Sequence, residues 1–202
     1  MPVLPAESGL DAATEALAAG VPVVLPTDTV YGVAVEPTRA GATDRLFAVK
    51  ERPRTAALPL LVASLDQAVM LSGDLPETAV ALAGAFWPGG LTLVVPRRPG
   101  LDLDLGGEDD TTVGLRLPDH PVPVALAERV GPLAATSANR HGRPTPAGAE
   151  EVADELGHAV ELVLDGGPCR GAPSTVVACT PEGVTVLREG RVPTADVLAA
   201  IG

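Results

Sequence analysis

The sequence predicts an α/β layered domain whose sheet is mixed rather than all-parallel. Short apolar runs, each stopped by Pro or Gly, alternate with helix-patterned segments along nearly the whole chain, and that alternation is the signature of helices packed on a sheet. The last two apolar runs, 174–178 and 184–187, are close enough to pair as an antiparallel hairpin, which excludes a purely parallel sheet. A length of 202 residues, 46% of them hydrophobic, fits a single domain over 1–202 with a sizeable core.

Residues 8–19 read as a short helix that ends at Gly20, and 22–25 as a buried strand stopped by Pro26. Thr38 is the expected cap of a helix reaching Lys50, with Leu46, Phe47 and Val49 on its apolar positions. A buried strand at 58–62 is followed by Ser64-Leu65-Asp66-Gln67, which has the form of a capping box. Asp74-Leu75-Pro76-Glu77 has the same form and opens a helix through Phe86. Strands are expected at 91–95 and 112–117. The intervening 102–110 carries five acidic residues and two glycines, and reads as a solvated loop rather than a metal site. Helix 121–130, strand 132–135, helix 147–156 and strand 159–164 continue the alternation; a last short helix starts near Thr194.

Composition narrows the function. A net charge of −12 and four aromatics in all disfavour general RNA or DNA binding, which needs a basic footprint and stacking surface. Cys169 and Cys179 are not paired in a C-x-x-C, so neither a disulfide framework nor a zinc site is expected, and a reducing cytoplasm fits. Residues 1–10 show no signal-peptide pattern. No apolar stretch reaches the roughly 18–20 residues of a membrane span.

Sheets of this class bind ligands at the carboxyl ends of their strands, around the loops that leave the sheet, and five such exits carry unusual chemistry. Thr27, Asp28 and Thr29 follow the 22–25 strand. Lys50, the sole lysine beside thirteen arginines, ends a helix in Lys50-Glu51-Arg52-Pro53, where a compact mobile cation suits a phosphate. Arg116 stands in an apolar strand and requires a partner, either a protein carboxylate or a ligand carboxylate. Thr136-Ser137-Ala138-Asn139 and Thr145 offer hydroxyls and an amide. Asp165-Gly166-Gly167-Pro168 leads on to Ser174, and Arg188 ends the hairpin. His120, His141 and His158 read as solvated, and Cys169 as an incidental thiol. Cations and hydroxyls without a protein nucleophile point to positioning and charge neutralisation, as in phosphoryl or nucleotidyl transfer.

Taken in order, these segments resemble the YrdC/Sua5 family of L-threonylcarbamoyladenylate synthases. The matching stretches are PTDTVYG at 26–32, KERP at 50–53, WPGGLTLV at 87–94, GLRLP at 114–118, TSAN at 136–139, DGGP at 165–168, PSTVV at 173–177 and LREG at 187–190. The resemblance covers about residues 10–191 and implies an open twisted sheet with a large cavity. It implies condensation of L-threonine, bicarbonate or CO2, and ATP (with Mg2+) into threonylcarbamoyl-AMP and pyrophosphate. That product serves N6-threonylcarbamoyl modification at position 37 of tRNA, through downstream threonylcarbamoyl-transfer proteins. Lys50, Arg52, Ser137 and Asn139 match the family's ATP-binding tetrad, and Lys50 and Arg52 would be catalytic. Thr112, Thr145 and Arg188 fall at positions associated with ATP contacts; Thr27, Arg116 and Ser174 fall where threonine is held. Ala63 departs from the pattern, since the family often has His there. The chain resembles the short type that lacks the additional C-terminal domain. Two rival readings are an RNA-binding module without nucleotidyl transfer and a carbamoyl-transfer domain related to hydrogenase maturation.

Overall fold

The computed structural model describes residues 2–51, 53–140, 142–181 and 183–202, and of His158 the backbone. In chain order the elements are β1 (Val3–Pro5), α1 (Ala6–Ala18), β2 (Val23–Leu25), β3 (Gly32–Val35), α2 (Ala42–Lys50), β4 (Leu60–Leu61), α3 (Leu65–Ser72), α4 (Glu77–Phe86), β5 (Leu91–Pro96), β6 (Thr112–Arg116), α5 (Pro121–Val130), β7 (Leu133–Ser137), α6 (Ala149–Leu156), β8 (Leu162–Asp165), β9 (Thr175–Thr180), β10 (Gly183–Arg188) and α7 (Thr194–Ala199). The strands form one open sheet in the order β1-β8-β2-β3-β7-β4-β6-β5-β9-β10. The sheet is mixed, as expected, and the 9–10 hairpin pairs antiparallel. Antiparallel pairing also runs through its centre, where β3 joins β2 to β7.

Alternation along the strands puts helices on both faces. Val23 and Leu25 of β2 and Leu162 and Leu164 of β8 pack with α1 and α5. The intervening Val24 and Val163 point the other way, into a cluster with α6. In the second half of the sheet, Leu91, Leu93 and Val95 of β5 join Val113 and Leu115 of β6 and Val177 of β9 beneath α2, α3 and α4. The opposite face of β5, β6 and β9 lines a cavity. That uncovered face positions the site.

Local signals worked where the chain had no better partner nearby. Ser64 Oγ accepts the Gln67 N–H at 3.2 Å, but the returning arm of the box lands one residue upstream, with Gln67 Oε1 accepting the Ala63 N–H at 2.9 Å. Thr38 does not cap α2. Its N–H and hydroxyl both donate to Glu36 Oε1, at 3.0 and 2.6 Å, and Gly41, at φ 73°, turns the chain into the helix instead. Asp74 does not cap α4 either, because Pro76 sits at the N-cap and starts the helix two residues further on. β1 and β3 were not expected: each is short, and β3 was hidden behind the polar PTDTVYG segment.

Candidate active site

A cavity of about 350 Å³ opens on the uncovered face of the sheet, a volume typical of small-molecule sites. Thr27, Thr29, Thr92, Thr112, Gly114, Arg116, Thr136, Ser137, Ser174 and Arg188 line it. The cavity lies across the face of the sheet, so both ends of β6 (Thr112 and Arg116) line it together with the amino ends of β3, β5 and β9 and the carboxyl end of β7. The expectation of carboxyl ends alone was too narrow.

Arg116 is the cation of the cavity floor, 7% exposed. It has a protein carboxylate as a partner: Nη2 donates to Asp28 Oδ1 at 2.6 Å. Nη1 donates to Thr29 Oγ1 at 2.9 Å and Nε to the Gly89 carbonyl at 3.0 Å. Burial pulls its pKa below the ordinary guanidinium range and Asp28 pushes it back up, so the group stays charged. Three of its five N–H groups are engaged in this way among the described residues.

Thr27 Oγ1 donates to the Val30 carbonyl at 2.6 Å and accepts the Thr29 N–H at 3.1 Å. Its hydroxyl therefore organises its own turn while facing the cavity. Tyr31 binds two motifs together: its buried hydroxyl donates to the Gly167 carbonyl at 2.8 Å and accepts the Gly166 N–H at 3.3 Å. Burial pushes the Tyr31 pKa up to about 12, so the hydroxyl remains a donor.

On the opposite wall, Arg188 comes off the end of β10 and grips Ser174. Nη2 donates to the Ser174 carbonyl at 2.8 Å and to its Oγ at 3.3 Å. Gly190 allows this close approach, since a Cβ there would stand 2.2 Å from the Pro173 carbonyl oxygen. Thr112, at the cavity mouth, donates to Asp109 Oδ2 at 3.2 Å.

Lys50 meets the loop after β7. It is 2% exposed, and its ammonium donates to the Ser137 carbonyl at 2.5 Å, to Asn139 Oδ1 at 2.9 Å and to the Asn139 carbonyl. The Asn139 amide donates to the carbonyls of Arg140 and Arg143, at 2.8 and 2.6 Å, and its Oδ1 accepts from Thr145 Oγ1 at 3.2 Å. Lys50, Ser137, Asn139 and Thr145 thus form one connected cluster, with Ser137 on the cavity wall. Arg52 lies outside the described residues, as does His141.

Asp28 and Thr29, both in the polar exit that follows the 22–25 strand, hold Arg116. One site residue carries no mark in the sequence analysis: Thr92, 3% exposed, pairs its hydroxyl with Ser174 Oγ at 2.8 Å. The signal for Thr92 was present: a polar residue in an apolar strand, the same feature that marked Arg116. His120 corrects another expectation. It is half-buried, and its Nδ1 accepts the Val122 N–H at 3.2 Å as the N-cap of α5; burial lowers its pKa, while Asp28 and Asp119 oppose the shift. The side chain of His158 lies outside the described residues.

A mixed open sheet with cations and hydroxyls gathered over its bare face defines an α/β domain whose cavity has the chemistry to suit a small anionic ligand. The model of the Sua5, YciO and YrdC family, described as telomere recombination, matches residues 15–190, and the chain belongs to that family. A Mycobacterium tuberculosis relative named putative threonylcarbamoyl-AMP synthase is 41% identical over 195 residues, 96% of this chain and 89% of the relative. The Bacillus subtilis threonylcarbamoyl-AMP synthase is 37% identical over 89% of this chain and 53% of its own. The structure of P. abyssi Sua5 complexed with L-threonine superposes with a TM-score of 0.90 at 36% identity, over 97% of this chain and 58% of that one. The chain therefore spans little more than half of these two longer relatives.

Proposed function

We propose that this protein is an L-threonylcarbamoyladenylate synthase, condensing L-threonine, bicarbonate or CO2, and ATP into threonylcarbamoyl-AMP and pyrophosphate. The observation that carries the reading is the shared cavity: a buried guanidinium with two N–H groups to spare faces it together with Thr27, Ser174 and Ser137. The names of the relatives and the threonine-bound neighbour support it.

In this mechanism Arg116 binds the threonine carboxylate through its two remaining N–H groups, a charge-assisted contact. Thr27 and Ser174 orient the amine and hydroxyl. The amine nitrogen adds to CO2 and loses a proton, giving a carbamate. A carbamate oxygen then forms a bond to the α-phosphorus of ATP as the bond to the β-phosphate oxygen breaks, releasing pyrophosphate. Ser137, Asn139, Thr145, Thr112 and Arg188 hold the nucleotide, Asn139 chiefly through the loop its amide shapes. Lys50 and Arg52 neutralise the phosphate charge that builds up on the leaving group. Catalysis of this kind rests on orientation and electrostatics rather than on a protein nucleophile.

No group of three His, Cys, Asp or Glu side chains able to hold a metal ion converges among the described residues. Magnesium is part of the same proposal: it would arrive with ATP and supply charge neutralisation at the phosphates. Downstream threonylcarbamoyl-transfer proteins acting on tRNA and a cytoplasmic setting belong to the same proposal. No helix among the described residues is long and apolar enough to cross a membrane. The test is mass spectrometry of the product formed from ATP, threonine and labelled bicarbonate. Threonylcarbamoyl-AMP carrying the label is expected; ATP turnover that ignores threonine or bicarbonate would refute the proposal.

A further inference from the structure

We infer that Thr92 is a positioning residue that makes the Ser174 hydroxyl an obligate hydrogen-bond donor toward the ligand. This rests on the proposed reading of the cavity as the threonine site.

β5 buries Leu91, Leu93 and Val95 in the core, so Thr92 and Val94 face the cavity. Thr92 is nearly inaccessible, and its Oγ1 lies 2.8 Å from Ser174 Oγ. A serine oxygen has two acceptor sites and one proton. Arg188 Nη2 fills one acceptor site at 3.3 Å. The 2.8 Å pair accommodates either hydroxyl as donor; with Thr92 as the donor, both acceptor sites of Ser174 are occupied and its own proton turns to the cavity that Ser174 lines. That orientation presents a hydroxyl proton to a carboxylate, carbamate or hydroxyl oxygen of the bound amino acid. The cation on one side and the second hydroxyl on the other thus act through Ser174 on the ligand. Thr92 need not touch the ligand to do so.

Two variants separate the hydrogen bond from the packing. Thr92→Val keeps the shape and both branches but removes the proton, whereas Thr92→Ser keeps the proton and loses only a methyl. We expect Thr92→Val to raise the KM for threonine roughly tenfold, about the worth of one hydrogen bond, with the KM for ATP unchanged. Thr92→Ser should restore a threonine KM close to that of the parent protein. Calorimetric binding of threonine, without turnover, should follow the same order. If Thr92→Val binds threonine normally, or Thr92→Ser is as impaired as Thr92→Val, the inference is wrong while the enzyme assignment stands. A parent protein that neither binds threonine nor turns over ATP with it overturns both.

Discussion

The ammonium of Lys50 lies 2.9 Å from the side-chain oxygen of Asn139 and so closes the end of α2 onto the loop that leaves β7. Two segments far apart in sequence become one wall beside the cavity, and the cation that the mechanism assigns to phosphate also sets the shape of the nucleotide loop.

Replacing Lys50 with Ala should therefore do two things. Pyrophosphate release should fall roughly a hundredfold or more, by comparison with the loss of one preorganised oxyanion donor. Hydrogen exchange over 137–145 should quicken at the same time. Lys50→Arg should not rescue either, because a planar guanidinium does not fit a site built around a compact, 2% exposed ammonium.

Asp28 is the carboxylate that balances Arg116 in the cavity floor. Asp28→Asn leaves a buried guanidinium without its counter-charge and should lower stability by about 3 kcal/mol, the usual scale for breaking a buried pair from one side. Urea unfolding at neutral pH measures this directly, and an unchanged midpoint would show the pair to be dispensable.

His120 makes stability depend on pH. Burial holds its folded-state pKa below the ordinary 6.5, so the unfolded chain takes up the proton first. Its contribution is complete above about pH 6.5 and is lost as pH falls through the lower folded-state value. Protonation at Nδ1 also removes the acceptor that caps α5. His120→Asn caps without titrating, so the loss of stability between pH 7.5 and pH 5 should be smaller in that variant; equal losses would exclude His120 as the cause.

Gly190 lets the segment after β10 lie against Pro173 and Ser174. An added Cβ would meet backbone oxygens at 2.2 and 2.8 Å, and backbone does not swing aside as a side chain can. Gly190→Ala should cost about 1–3 kcal/mol of stability, the scale of overpacking. It should also weaken threonine binding by displacing Ser174, a pairing of effects that a joint thermal-melt and calorimetry measurement would reveal.

Much of the fold was legible because burial writes a period into a strand. The runs at 22–25, 91–95 and 112–117 were read as strands and are β2, β5 and β6 to within a residue or two. The helix starts were less legible. Thr38 and Asp74 have the chemistry of caps, but Glu36 captured the first and Pro76 displaced the second, and such competition depends on which groups the folded chain brings near. Among site residues, Thr27, Arg116, Ser137, Ser174 and Arg188 were named from unusual polarity at strand exits and all line the cavity. Thr92 has the same signature but is not legible as a site residue, because a single threonine in a strand is also a good strand former.

The amino-acid order alone determined the alternating elements, the mixed sheet and the kinds of side chain available at the strand exits, since periodicity, turn residues and polarity are local properties. The tertiary structure decided the pairings: Asp28 set against Arg116, Lys50 turned to the carbonyls of Ser137 and Asn139, and Thr92 set against Ser174. Those contacts join residues 82 to 89 positions apart, and only the strand order brings such distant groups within hydrogen-bond reach.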